Sequence, residues 1–260
     1  MSHRQLRLIL PIVSVLLFGL AWELATSWGG IPEWLIPSPA AVWKSAVEFQ
    51  DAIWESTLLT LYETLVGFGC ATVFGIGLAI LFVWARWLKD SLYPLILITQ
   101  AMPKIAIAPL FIVWLGPTDI KAKIIMVFLI SFFPILVNAV VGLMSTDRDL
   151  IDLMRTMGAS RWRIFIKLQL PGAVPHIFSG LKVGITMAVT GALVGELMGG
   201  NKGLGYLMNV ALGHIDAALM FAVLAVLTAL AMVLFYIVEG IDRFLTRWQD
   251  RGVTILNATA

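Results

Sequence analysis

The chain has few of the residues from which soluble catalytic and metal sites are built. Its 260 residues include one cysteine and three histidines, and only 13% are charged. Cys70 lies in an apolar run and reads as a small buried hydrophobe, which excludes a disulfide framework. His176 and His214 have no companions at ligand spacing, so no metal centre is expected. There is no G-x-x-x-x-G-K-[ST] loop to cradle a nucleotide phosphate. Nor do His, Asp and Cys cluster toward a common site, so the chain does not read as a membrane enzyme.

Apolar residues are abundant. At 60% hydrophobic content the chain is too apolar for a soluble domain and reads as a single all-α integral membrane domain over 1–260. Six spans are expected at about 8–26, 61–84, 92–115, 124–143, 179–198 and 219–238. The apolar run after His3, Arg4 and Arg7 reads as a retained span, because no small-x-small cleavage pattern follows it before Glu23. Between the first two spans, Pro32, Pro37 and Pro39 forbid a continuous helix, and about 40–56 reads as an outer amphipathic segment. Gly180, Gly184, Ala188, Gly191 and Gly195 make one small-residue face on the fifth span, suited to close helix contact.

Basic residues orient this arrangement. Arg4, Arg7, Arg86, Lys89, Arg148, Arg155, Arg161, Arg163, Lys167, Lys182, Arg243, Arg247 and Arg251 fall on one side. Lys44, Lys104, Lys121, Lys123 and Lys202 fall on the other, or in a span near it. The positive-inside rule then puts both termini and the segment 145–171 in the cytoplasm.

That segment is the most informative stretch. Leu150, Leu153, Met154 and Met157 share a stripe of a short helix that Gly158 should break. Ser160 is placed to cap a second helix, with Arg161, Arg163 and Lys167 off its apolar face, and Pro171 is expected to end it. A basic, kinked, amphipathic unit between two spans can be a solvated loop, an interfacial helix or a docking element.

Within the membrane, Lys104 and Glu196 need a reason, since each would cost roughly 2.5–3.5 kcal/mol at a helix centre. Lys104 follows Pro103 and precedes Pro109 in the third span, where freed carbonyls call for a cavity or protein contact. Pro103, Lys104, Asn138 and Glu196 are therefore the candidate pathway residues, with Asn138 a candidate hydrogen bonder between helices. Apart from Glu196 no buried acidic residue is expected in the spans, which argues against an ion-coupled secondary transporter.

Asp152, Leu153 and Met154, then Gly158, then nine residues and Leu168, Gln169, Leu170 and Pro171 resemble the cytoplasmic motif of ABC importer permeases. Asp152 stands for its Glu, Leu153 and Met154 for its two Ala, and Leu168 for its Ile. Ile36 to Pro39 and Glu196 to Tyr206 resemble the nitrate, sulfonate and taurine-type subfamily. The resemblance implies a type I importer fold, with a coupling helix between spans four and five, in a bacterial inner membrane. Asp152, Leu153, Met154, Gly158, Ala159, Ser160, Arg161, Leu170 and Pro171 would then couple to the ATPase.

The implied partners are a second copy of this chain, two ABC ATPase subunits that bind ATP and Mg, and a soluble or lipid-anchored substrate-binding protein. The surroundings are the lipid bilayer, and no nucleic acid is implied. The chain itself would carry no cofactor and catalyse nothing, and would move a small solute by alternating access. An organic or inorganic anion is the first expectation, with Lys104 as the attracting cation. A vitamin precursor of pyrimidine or riboflavin type is the alternative.

Overall fold

Long apolar runs fold as helices because a bilayer offers no partner to an unpaired backbone N–H or C=O. A computed structural model of the chain describes residues 3–28, 32–116 and 120–246, and among these it contains only helices and short connections. Arg247 and Arg251 lie outside the described residues.

The helices are α1 (His3–Trp28), α2 (Pro39–Glu48), α3 (Gln50–Trp84), α4 (Arg86–Ala101), α5 (Lys104–Leu115) and α6 (Ile120–Met144). Then follow α7 (Arg148–Thr156), α8 (Arg161–Ile164), a π-helical turn (Phe165–Gln169), α9 (Leu170–Gly199), α10 (Leu204–Gly213) and α11 (Ala217–Leu245). Among the described residues, α3, α6, the continuous helix Arg161–Gly199 and α11 are long and apolar enough to cross a membrane.

Four features differ from the sequence expectation. The segment about 40–56 divides at Phe49, and its second part is the start of α3. Ser38 accepts a hydrogen bond from the Ala41 N–H at 3.1 Å and Pro39 occupies the first turn, so α2 is a separately capped helix. The third span is two helices, α4 and α5, broken at Met102 and Pro103, because proline offers no N–H to the turn behind it. Cys70 is exposed on α3, on an apolar face that lipid can cover.

Pro171 does not end a helix either. The Leu170 N–H reaches the Phe165 carbonyl, five residues back, and the widened turn leads straight into α9 with Pro171 in its first turn. Proline is tolerated there because the first-turn donors need no partner within the helix.

Two units are distinguishable. In the first, residues 1–59 with 202–228, Trp22 donates its indole N–H to the Pro37 carbonyl at 3.1 Å, and its ring lies 5.8 Å from that of Phe221. In the second, residues 60–201 with 229–260, α6 and α9 pack along most of their length.

Small residues make that packing close. A Cβ added at Gly191 would stand 2.8 Å from the Val127 Cα, and one at Gly142 would stand 2.5 Å from the His176 Cβ. The anticipated glycine face of α9 is thus buried against α6. Gly67 of α3 approaches Val127 of α6 in the same way, whereas nothing lies within 4 Å of a Cβ added at Gly77.

Because backbone blocks position 191, Gly191→Leu is expected to lower the thermal midpoint in detergent, by the equivalent of about 1–3 kcal/mol. Gly77→Ala is expected to leave the midpoint unchanged or slightly higher; thermal denaturation followed by size-exclusion chromatography reads both.

Candidate functional site

The segment between α6 and α9 is built from local signals. Asp147 caps α7 by accepting from the Asp149 N–H at 2.9 Å. The helix ends in a Schellman arrangement, with the Gly158 N–H on the Arg155 carbonyl and the Ala159 N–H on the Met154 carbonyl, both 2.9 Å. Gly158 has φ +77°, a left-handed conformation that glycine adopts without strain. Ser160 then caps α8 by accepting from the Arg163 N–H at 3.3 Å.

Among the described residues nothing covers the apolar stripe of α7. Leu150, Leu153 and Met157 are exposed, Met157 at 77%, while Met154 is half-buried. Arg155 pairs with Asp152 at 2.9 Å in the open, a contact worth little by itself. Arg161 is exposed, Ala159 is half-buried, and Leu170 and Pro171 are half-buried in the first turn of α9.

The segment is fastened on its other side by rings. Trp84, at the end of α3, lies 5.8 Å from Trp162 and 5.9 Å from Phe165, and the last two are 5.9 Å apart. A cavity of about 400 Å³ beside this cluster is lined by Trp84, Trp87, Arg155, Arg161, Phe165 and Gln169, among others.

The four candidate pathway residues do not form one cluster. Pro103 is exposed in the break before α5. Lys104 begins α5, and its ammonium sits 4.7 Å above the Phe133 ring of α6, a cation–π contact that occupies the charge. Asn138 donates to the Pro134 carbonyl of its own helix at 2.8 Å, so its amide does not bridge helices in the way anticipated. The Asn138 Cβ instead lies where a side chain at Gly180 would stand.

Glu196 is fully buried. It accepts from the Thr60 hydroxyl at 2.6 Å. Beside it, Glu63 of α3, also 0% exposed, pairs with Lys123 of α6 at 3.0 Å. Lys123 and Phe133 are ten positions apart on α6, about 15 Å at 1.5 Å per residue, so the Glu196 cluster and Lys104 meet this helix at different levels.

The expectation that Glu196 is the only buried acid in the spans therefore fails at Glu63. Its one sequence signal was a carboxylate a few residues inside an apolar run.

A second group was also missed. Lys182 of α9 donates to Glu239 at 2.6 Å and to Asp242 at 2.8 Å, both on α11, and Arg243 donates to Glu239 at 2.8 Å. A lysine counted from the sequence only as a topology signal is thus a neutralised bridge between two helices.

Residues 71–251 match the family described as binding-protein-dependent transport system inner membrane component. The chain belongs to this family. It is an ABC transporter permease, a non-catalytic inner-membrane subunit.

Its relatives include the riboflavin transport system permease protein RibX of Chloroflexus aurantiacus, 36% identical over 92% of this chain and 90% of that one. The formylaminopyrimidine transport permease protein ThiX of Halalkalibacterium halodurans is 32% identical over 95% and 99%. The taurine transport system permease protein TauC of Escherichia coli is 27% identical over 94% and 90%. The fold is similar to that of the MetNI methionine ABC transporter in inward-facing conformations, with a TM-score of 0.63 at 22% identity over 76% of this chain and 96% of that one. The expected nitrate, sulfonate and taurine grouping therefore holds at the level of the family, while the riboflavin and formylaminopyrimidine relatives are the more similar in sequence.

Removing the Lys123 ammonium would leave Glu63 a buried carboxylate without its cation. Lys123→Ala is expected to destabilise the permease by about 3–5 kcal/mol. The exposed Lys44→Ala should change stability by no more than about 0.5 kcal/mol; thermal midpoints in lipid nanodiscs compare the two.

Proposed function

We propose that this chain is the translocation subunit of an ATP-driven importer, working as a homodimer with two ATPase subunits on the cytoplasmic side and a binding protein outside. The observation that carries the reading is the α7–α8 unit, with an apolar stripe that nothing among the described residues covers, flanked by Arg155 and Arg161 and held to α3 through Trp84. An exposed apolar stripe on a held helix suits a groove in a soluble partner. A handle fixed by three packed rings transmits force from that partner where a loose loop would absorb it.

As the substrate class we propose a nitrogen heterocycle of the riboflavin or formylaminopyrimidine type. Two observations support it over the anion first expected. The relatives named for those solutes are 36% and 32% identical, against 27% for the taurine relative. The Lys104 ammonium, which suggested an anion, already rests on the Phe133 ring.

The docking role is tested by Gly158→Asp. The substitution puts a side chain at a left-handed position and a negative charge beside the contact. It is expected to leave membrane insertion intact, to reduce copurification of the ATPase subunit and to lower ATP-driven uptake roughly tenfold, the equivalent of about 1.4 kcal/mol. Unchanged uptake by a correctly inserted mutant would remove α7–α8 from the coupling. Uptake of labelled riboflavin and formylaminopyrimidine by the reconstituted transporter, with taurine as competitor, tests the substrate class. Competition by taurine would return the reading to an anion.

A further inference from the structure

Where α3 and α6 end beside α7, the chain carries a basic groove that the apolar docking stripe does not use. Its first part is the cavity of about 400 Å³ lined by Trp84, Trp87, Arg155 and Arg161. A second cavity, of about 330 Å³, is lined by Lys89 and Arg148, and the two adjoin, since Val83, Ile151 and Gln169 line both. Against these four cations stand two acids. Asp90 lines the second cavity, and Asp152 holds Arg155 at 2.9 Å. Lys89 lies 5.9 Å from the centre of the Tyr93 ring. Arg148 and Arg161 pair with no carboxylate among the described residues.

The groove and the stripe occupy different sides of α7. Ile151 and Arg155 are about one turn apart and share a face. At about 100° per residue, Leu150, Leu153 and Met157 each stand about 140° or more round the helix from Arg155. A partner that grips the stripe leaves Arg155 turned toward α3.

The level of the groove in the membrane is set by the ends of two spans. Trp84 is the last residue of α3, and Met144, which lines the second cavity, is the last of α6. Trp84 and Trp87 are exposed, as indole rings are at the depth of lipid headgroups. Leu81, one turn before Trp84, is exposed too and gives an acyl chain an apolar surface to follow.

We infer that this groove binds the headgroup of an anionic phospholipid, on the side of the membrane that the basic residues assign to the cytoplasm. Arginine suits a phosphate because its planar N–H groups reach two oxygens at once. Basic pockets beside spanning helices recognise acidic headgroups on the same principle. A zwitterionic headgroup brings a cation of its own, which four basic side chains repel. An acidic segment of a soluble protein would satisfy the arginines but would leave Leu81 and the two indoles without a role. A phosphate held between Arg155 and the end of α3 adds a second fastening to the docking segment beside the aromatic rings.

Native mass spectrometry of the full-length permease, released from nanodiscs of mixed phosphatidylglycerol and phosphatidylcholine, tests this. The wild type is expected to retain phosphatidylglycerol in preference. Its thermal midpoint should be higher with phosphatidylglycerol than in phosphatidylcholine alone at equal ionic strength. Replacing Arg155→Gln and Arg161→Gln together should weaken retention about fivefold for each arginine, the equivalent of about 1 kcal/mol, and abolish the difference in midpoint. Arg163 of α8 lines neither cavity, so Arg163→Gln removes the same charge and should change neither reading. If the double variant does not fold, Arg161→Gln alone decides the matter, because Arg161 is exposed and holds no ion pair among the described residues. Equal retention of the two lipids by the wild type overturns the proposal. So does a preference that survives the loss of the arginines, or one that falls as far with Arg163→Gln, which would make it an effect of surface charge at large. Inorganic phosphate that raises the midpoint in phosphatidylcholine as much as phosphatidylglycerol does would make the groove a site for a free anion, and overturns it too.

Discussion

The close approach of α6 and α9 is the contact on which the second unit depends. Lipid tails are as apolar as leucine, so two spanning helices gain nothing by hiding apolar surface from one another; they associate when small residues let their backbones touch. The glycines do this from one end to the other, Gly142 meeting His176 near α7–α8 and Gly195 meeting Lys123 near the charged junction. Both candidate sites are set by this seam. α7 and α8 leave from its one end, and Lys123 and Glu196 are brought to the same level at the other.

Buried and half-buried charges then brace the seam against its neighbours. Lys123 with Glu63 ties α6 to α3, and Lys182 with Glu239 and Asp242 ties α9 to α11. Pairs of this kind add little net stability, since desolvation offsets most of their attraction. What they do is penalise misregister. A one-residue slip of α9 would pull Lys182 from both acids and turn Glu196 away from Thr60.

How much of this was legible in the sequence follows the distance over which each signal acts. The α7–α8 unit could be read because its cap, its left-handed glycine and its second cap lie within a dozen residues, and each is a local preference. The small-residue face of α9 showed in its helical spacing, although the identity of α6 as its partner did not. The break at Met102 and Pro103 was present as a proline inside a supposed span but could not be told from a kink. Pro171 misled, because a stop signal and a first-turn residue look alike until the π turn before it is seen. The junction was illegible: Thr60 and Glu196 are 136 positions apart and Glu63 and Lys123 are 60 apart, and no periodicity links residues across such separations.

The placement of joints and rigid parts follows from the same contacts. A soluble partner shifts a conformational equilibrium only by gripping one state better than another, and the difference reaches the far side only through parts that do not bend. The rings of Trp84, Trp162 and Phe165 join α8 to α3, and the π turn runs into α9 without a gap, so in the proposed coupling a movement of α7–α8 would be carried into two helices at once. The chain changes direction at Met102 and Pro103, and Gly116, with its φ of +98°, follows the other end of α5. α5 is thus a short helix with a break at each end, packed on both helices of the seam. That division, continuous and closely packed along α6 and α9 and broken before α5, is what the use of glycine in the one and proline in the other produces.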